Sequence, residues 1–395
     1  MVAKKIKEDI FSVGALHWDR RLFDELIPLP DGTTYNSYLI KGGNKIALLD
    51  TVDPTKTEVL LQNLQELKIE KIDYIIAHHA EQDHSGSLPK VLEKYQSAKV
   101  VTNPKCKDML KDLLLLGDDK FITINDREVL DLGGKSLEFI YAPWVHWPET
   151  MFSYLKEDKI LFTCDFLGSH LASSELYAHD EAKVYESAKR YYAEIMMPFR
   201  TSIRKHLEVI KGLEVNLAAP SHGPIYDRPQ FILDAYRDWA SDEVKNEVVV
   251  PYVSMHGSVA AAINYFIDNL QKKGIVVKPF NLTRTDIGEL AMALVDAATI
   301  VIGSPTVLVG PHPAAFYAAY LAGALRPKTK YVSIIGSYGW GGKMMDMLKG
   351  MLPGLKVEII DPILIKGYPK KEDFKLIDNL IESIYAKHKQ LGIIK

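Results

Sequence analysis

The segment His78-His79-Ala80-Glu81-Gln82-Asp83-His84 carries five metal-capable side chains in seven consecutive positions. It follows the apolar run Tyr74-Ile75-Ile76-Ala77, so the pattern predicts a loop at the carboxyl end of a strand. Three more ligand-type residues recur in similar settings. His146 follows an apolar run, within Ala142-Pro143-Trp144-Val145-His146-Trp147-Pro148. Asp165 ends Ile160-Leu161-Phe162-Thr163-Cys164-Asp165, where an unpaired carboxylate would be costly to bury. His222 occupies the turn Pro220-Ser221-His222-Gly223-Pro224 after Leu217-Ala218-Ala219. Singly these are ordinary structural histidines and a helix-cap aspartate; together they argue for a metal centre. Glu81, Asp83 and Asp165 bring three hard anionic oxygens beside three or four imidazoles. Two metals sharing that set would have much of their charge neutralised, and iron suits mixed nitrogen and oxygen ligation. The donor list alone leaves zinc open.

A second constellation lies further along. Three loops each follow a predicted strand: Ser254-Met255-His256-Gly257-Ser258, Gly303-Ser304-Pro305-Thr306-Val307 and Gly336-Ser337-Tyr338-Gly339-Trp340-Gly341-Gly342. Hydroxyls, a glycine and free amides at a helix start make a phosphate cradle without a lysine. The glycines of the third loop let backbone approach a flat ligand, and its aromatics can stack on one. No Gly-x-Gly-x-x-Gly follows a strand with a suitably placed acidic residue, so a dinucleotide such as FAD or NAD is disfavoured.

The elements that position these residues divide the chain. From Ile10 to about Phe162, short β-branched runs alternate with turn signals such as Asp31-Gly32 and Gly42-Gly43. Helical stretches fall at about 56–67 and 88–95, which together predict an α/β sandwich with mixed sheets. Longer helices are expected at about 181–212 and 229–240. After Ser241-Asp242-Glu243, strands and helices alternate strictly: strands at 248–253, 275–280, 299–302, 331–335 and 357–360. Helices at 258–272, 286–295, 314–324, 342–350 and 371–388 intervene or close the series. That order predicts a doubly wound parallel sheet of flavodoxin size, binding its ligand at the strands' carboxyl edge. The expected domains are 1–246 and 247–395.

Composition narrows the function classes. A length of 395 residues suggests at least two domains. Net charge is −3, so phosphate neutralisation and a nucleic-acid partner have no electrostatic support. No apolar run approaches the ~20 residues needed to span a bilayer. The N-terminus lacks the apolar core of a signal peptide. Two cysteines, Cys106 and Cys164, cannot build a disulfide scaffold or a four-thiolate site, including the rubredoxin type. The expectation is a cytoplasmic protein.

The order and spacing of His79, Glu81, Asp83, His84, His146, Asp165 and His222 resemble the metallo-β-lactamase fold. There the usual zinc hydrolase motif is His-x-His-x-Asp-His. Glu81 stands in place of the second histidine, the substitution that distinguishes the flavodiiron proteins. The three glycine- and serine-bearing loops are similar to the FMN loops of flavodoxins, and the third is close to those of flavodiiron proteins. Trp18-Asp19 and Thr33-Thr34-Tyr35-Asn36 also match, so the resemblance covers essentially the whole chain, with packing and loop geometry as these segments' default role.

The resemblance implies that His79, Glu81 and His146 hold one iron, Asp83 and His222 the second, with Asp165 bridging. It leaves His84 open, as a ligand or turned away with a water in its place. His78 and Glu149 depart from the common asparagine and aspartate, which touches only the surroundings of the ligands. Val259 replaces a frequent phosphate-contacting threonine. Cys164 reads as a small buried hydrophobe, and His170 either reaches the metal pocket or lies in a surface loop. The implied activity is reduction of dioxygen to water, of nitric oxide to nitrous oxide, or both. Electrons would come from a rubredoxin-like protein or a reduced soluble cofactor. The implied assembly is a head-to-tail homodimer, or a dimer of dimers, in which each FMN lies against the partner's metals. Two readings compete: a zinc hydrolase with an accessory flavodoxin domain, and a flavodoxin-like carrier tethered to an inert domain. Glu81 argues against the first and the retained ligand set against the second.

Overall fold

The computed structural model describes residues 2–394. The chain forms two compact units, Met1–Tyr192 with Phe199–Ala240, and Ala193–Pro198 with Ser241–Lys395.

In the first unit two sheets face each other. The seven-stranded sheet runs in the order Lys4–Lys7, Ile10–Ser12, Tyr38–Lys41, Ile46–Leu49, Tyr74–Ile76, Lys99–Thr102, Phe121–Thr123. It is antiparallel at its first edge and parallel from Ile46–Leu49 onward. The five-stranded sheet runs Val129–Asp131, Ser136–Tyr141, Met151–Leu155, Ile160–Cys164, Leu217–Pro220. Alternate residues of both sheets form the layer between them, among them Ile40, Leu49, Ile76, Phe139, Leu155 and Phe162. Each such side chain contributes about 1.5–3 kcal/mol by leaving water. Helices Thr57–Glu66, Leu88–Lys94 and Pro104–Leu114 pack the outer face of the first sheet through Leu60, Leu64, Val91 and Leu110. Beside the second sheet, Phe152 stacks on Phe166, which meets Tyr236 of helix Pro229–Ala240 edge-on. This is the four-layer αββα sandwich of the metallo-β-lactamase fold.

Two of the helices outside the parallel sheet differ from the sequence expectation. The helix Pro104–Leu114 was not among the expected elements, yet Asn103 accepts from Cys106 N at 2.9 Å and Pro104 takes the first turn, an N-terminal signal legible in sequence. The single helix expected over 181–212 is broken. It runs Glu181–Tyr191, passes through a π turn at Tyr192–Met196 and a 3-10 turn at Met197–Phe199, and resumes at Arg200–Lys211. Pro198 lies in the break, where its missing N–H cannot continue the helical ladder.

The second unit is a parallel sheet in the order Val276–Asn281, Lys245–Tyr252, Ala297–Val307, Tyr331–Tyr338, with the last edge shared by Glu358–Ile359 and Ile363–Lys366. The fifth strand expected at 357–360 is thus split in two, with Asp361 in a left-handed conformation and Pro362 unable to donate to the ladder. Helices Ser258–Lys272 and Lys371–Gln390 cover one face through Ile263, Phe266, Ile377 and Ile381 against Val250, Val301 and Ile335. This is the flavodoxin-like doubly wound sheet. Among the described residues no helix is long and apolar enough to cross a membrane.

Candidate functional site

Strand ends deliver the metal-type side chains to one place. His79 and Glu81 follow Tyr74–Ile76, and Asp83 and His84 sit on the short helix Gln82–Ser85. Asp165 follows Ile160–Cys164 and His222 follows Leu217–Pro220, two adjacent parallel strands. His146 comes from the loop joining Ser136–Tyr141 to Met151–Leu155, closed by Ala142 N donating to Thr150 O.

Asp165 organises the centre by dividing its oxygens. Oδ2 lies 3.4 Å from both His79 Nε2 and His146 Nε2, and those two imidazoles lie 3.0 and 3.1 Å from Glu81 Oε2. Oδ1 lies 3.1 Å from His84 Nε2 and 3.2 Å from His222 Nε2. Those two imidazoles in turn face Asp83 at 3.4 and 3.1 Å. The result is two ligand-type clusters, His79-Glu81-His146-Asp165 and Asp83-His84-His222, with Asp165 serving both. All seven residues expected from the sequence converge, His84 included.

The chemistry of this donor set fits a pair of divalent cations. Both oxygens of Asp83, Asp165 Oδ2 and His84 Nε2 are buried with no hydrogen-bond partner, a combination that costs several kcal/mol unless a cation meets it. The carboxylates also favour positive charge on every inward imidazole. Burial lowers each of these histidines, but Asp165 and Glu81 lift His146 to about 9, and Asp165 and Asp83 lift His222 to about 10. Against burial, Glu149 and then Glu81 raise His79, Asp165 and then Asp83 raise His84, and against its own burial Asp165 is held well below the carboxylate range by the histidines around it. Three carboxylates and four imidazoles around one point can be satisfied by protons or, better, by metals that use every lone pair.

Outer residues fix the imidazoles. His79 Nδ1–H donates to Glu149 Oε1 at 2.7 Å, and the same oxygen accepts from Ala80 N. The His222 Nδ1–H donates to the Thr34 carbonyl at 2.6 Å. Thr34 Oγ1 accepts from Gly223 N, and Asn36 Nδ2 donates to the carbonyls of Pro220 and Gly223. The segment Thr33–Asn36 therefore shapes the His222 turn. Gly223 is required there, with φ of 81° and Ser169 Oγ 2.0 Å from where a Cβ would stand. His78 points elsewhere, held by Asp50 at 2.7 Å and Ser153 at 2.7 Å.

Other residues near the centre carried weaker sequence signals or none. Tyr191 donates to Asp165 Oδ1 at 2.8 Å, from a helix whose pattern alone marks it as core. His170 is buried rather than in a surface loop, its Nδ1 2.9 Å from Thr33 Oγ1 and its ring 5.2 Å from that of His222. Burial and then the His222 charge push it well below the usual histidine range. Asp24 stands at the rim, where burial and then the carboxylates of Glu81 and Asp83 raise it to about 6. Cys164 is a buried free thiol, pushed up by burial and the nearby Asp165 and Asp50 carboxylates.

In the second unit a cleft is lined by Ser254, Met255, His256, Ser258, Pro305, Thr306, Ser337, Tyr338, Gly339 and Trp340, all in the three expected loops. Val259 and Gly367 join them. The helix Ser258–Lys272 begins here after Gly257 in the left-handed region, and Ser254 Oγ accepts from Ala260 N. Trp340 is 94% exposed, a ring surface that packing leaves free. Other loop residues serve the scaffold. Gly303 packs against Tyr252, Gly336 against Met344, and Ser304 Oγ accepts from His312 N. Gly342 makes a close approach to Thr306, while Val307 and Gly341 flank the cleft's lining in sequence.

Comparison with known proteins agrees with this geometry. Residues 33–223 match the family model described as ODP family beta lactamase. The chain is 34% identical to a nitric oxide reductase of Moorella thermoacetica, over 97% of this chain and 98% of that one. It is 32% identical to a flavo-diiron protein of Clostridium acetobutylicum, over 95% and 97%. The structure of rubredoxin oxygen:oxidoreductase from Desulfovibrio gigas superposes with a TM-score of 0.95 at 28% identity, covering 98% of this chain and 99% of that one. With the αββα sandwich, the paired clusters and the flavodoxin-like unit in place, this chain belongs to the flavodiiron proteins and is an oxidoreductase of that type.

Proposed function

We propose that the chain reduces dioxygen to water, nitric oxide to nitrous oxide, or both, at two irons held by its first unit and re-reduced through FMN in its second. The observation that carries this reading is the division of Asp165, one oxygen toward each cluster. His79, Glu81 and His146 would hold one iron, and Asp83, His84 and His222 the other. The iron pair and the flavin together supply the four electrons that complete dioxygen reduction requires, whereas joining two nitric oxides requires two. The residues around them orient and enclose: Glu149 and Thr34 set imidazole tautomers, and Tyr191 holds the shared carboxylate.

For FMN, the Ser254–Ser258 loop and the start of its helix would take the phosphate, and Trp340 and Tyr338 would offer ring faces. The metal domain is proposed as residues 1–246 and the FMN domain as 247–395. Because strand Lys245–Tyr252 already belongs to the second sheet, a flavin-domain fragment is best begun at Ser241. The donor is external, a rubredoxin-like protein or a reduced soluble cofactor. The active unit is proposed as a head-to-tail homodimer, alone or paired into a dimer of dimers. Both cysteines are free and buried, which suits a reducing cytoplasm.

Metal and flavin analysis of purified, reconstituted protein tests the cofactors. About two irons and one FMN per chain are expected. Two tightly held zincs in the active form would refute the iron assignment.

A further inference from the structure

An imidazole that turns Nε2 toward a metal must keep its proton on Nδ1, so whatever accepts that proton sets how firmly the ring is held. The inward histidines differ in this respect. His79 donates to a carboxylate at 2.7 Å and His222 to a main-chain carbonyl at 2.6 Å. For His84 Nδ1, the partner found among the described residues is Cys164 Sγ at 3.9 Å. A thiol sulfur is a weak acceptor.

Asp50, His84 and Cys164 also form a buried cluster with metal-type donors, but its geometry does not suit an ion. Both Asp50 oxygens are committed. Oδ1 accepts from His78 N at 2.8 Å, and Oδ2 takes His78 Nδ1 at 2.7 Å and Ser221 Oγ at 3.5 Å. Cys164 is instead tied to the second metal position from several directions. Its sulfur faces His84, its carbonyl accepts from Ser221 N next to His222, and its peptide neighbour is the shared Asp165. Its backbone is in the left-handed region, with φ of 52°, which surrounding contacts must maintain.

We infer that Cys164 is a positioning residue for the second metal: its sulfur accepts from His84 Nδ1–H and keeps Nε2 facing Asp165 Oδ1. The inference rests on the paired-metal reading. It follows that removing this sulfur should loosen the second position and spare the first, which Cys164 does not anchor.

The test is anaerobic titration of full-length apoprotein with ferrous iron, followed by calorimetry and by the iron's Mössbauer spectrum. Wild-type protein should take up two ferrous ions. Loss of an outer partner typically costs about 10–100-fold in metal affinity. C164A should therefore weaken the second site by about 10-fold or more and leave the first unchanged. C164S, which keeps the volume close, should give a smaller loss in the same site and guards against a folding defect in C164A. In an H84A background, C164A should add nothing, because the sulfur would have no imidazole to hold. Two-ion uptake unaltered by C164A and C164S would overturn the inference alone, as would a loss that persists undiminished beside H84A. Wild-type protein taking up fewer than two ferrous ions would overturn the paired-metal reading and this inference with it.

Discussion

The two clefts of this molecule are built on opposite principles. The metal-type centre gathers charged and imidazole side chains that are nearly all buried, several of them with polar atoms left unpartnered. The cleft of the second unit is open, edged by loop backbone at a helix start and by Trp340, whose ring lies almost wholly in solvent. In the first, side-chain chemistry is specific and burial makes every donor matter. In the second, recognition falls to amides, small hydroxyls and aromatic faces, so each side chain matters less. A single substitution should accordingly be ruinous in one cleft and graded in the other.

The sharpest way to break that contrast is D165A. Removing the carboxylate shared by both clusters should lower retention of both metals by at least about 100-fold, beyond the about 10–100-fold typical of losing an outer-shell partner. FMN content should be unchanged. If D165A kept two irons per chain through gel filtration, the shared role would be wrong.

A smaller effect is expected from W340A. An aromatic stacking partner is worth about 0.5–1.5 kcal/mol, so FMN affinity should fall by about 2–10-fold, or the flavin potential should shift, with iron content intact. Fluorescence titration of the apoflavoprotein would detect it. A hundredfold loss would make the flavin cleft as side-chain dependent as the metal centre and erase the contrast.

The smallest effect lies in the second unit's scaffold. His388 is fully buried on the helix Lys371–Gln390, its Nδ1–H donating to Asn246 Oδ1 and its Nε2 accepting from Thr299 Oγ1, each at 2.8 Å. Burial pushes it down to about 4 from the ordinary 6.5. Above 6.5 the ring is neutral whether the chain is folded or not, and its contribution is fully present. As pH falls below 6.5 the unfolded chain takes the proton first, so stability declines down to about 4 and levels off below it. Denaturant titrations of the second unit should show that slope, and H388Q should flatten it. An identical slope in H388Q would assign the acid sensitivity elsewhere.

The same contrast explains what sequence could show. Metal-type residues announced themselves because His79, Glu81, Asp83 and His84 crowd one loop, and His146, Asp165 and His222 each end a strand or occupy a turn. Their convergence on the two faces of Asp165 is three-dimensional, yet strand-end placement foreshadowed it. The outer anchors were less legible. Glu149 and Thr34 each hold their imidazole through a single oxygen, and Tyr191 lies in a helix where an aromatic at a buried position reads as packing. Cys164 read as filler for the same reason. In the flavodoxin-like unit the loops were found, but glycine type did not separate cleft residues from scaffold. Gly339 lines the cleft, whereas Gly303 and Gly336 pack against neighbouring side chains. Element order was clear from periodicity, while the helix at Pro104 and the break near Pro198 depended on cap and proline placement rather than hydrophobic pattern.

The central claim is that a metal pair in one unit spends electrons gathered by a flavin in the other. Anaerobic turnover of iron- and FMN-reconstituted protein tests it most directly, using one chemically reduced donor and dioxygen or nitric oxide added in turn. Catalytic consumption of at least one gas is expected, abolished in D165A and in protein stripped of FMN. Gas uptake that survives removal of the flavin with the same donor, or no uptake of either gas by protein carrying two irons and FMN, would contradict the account.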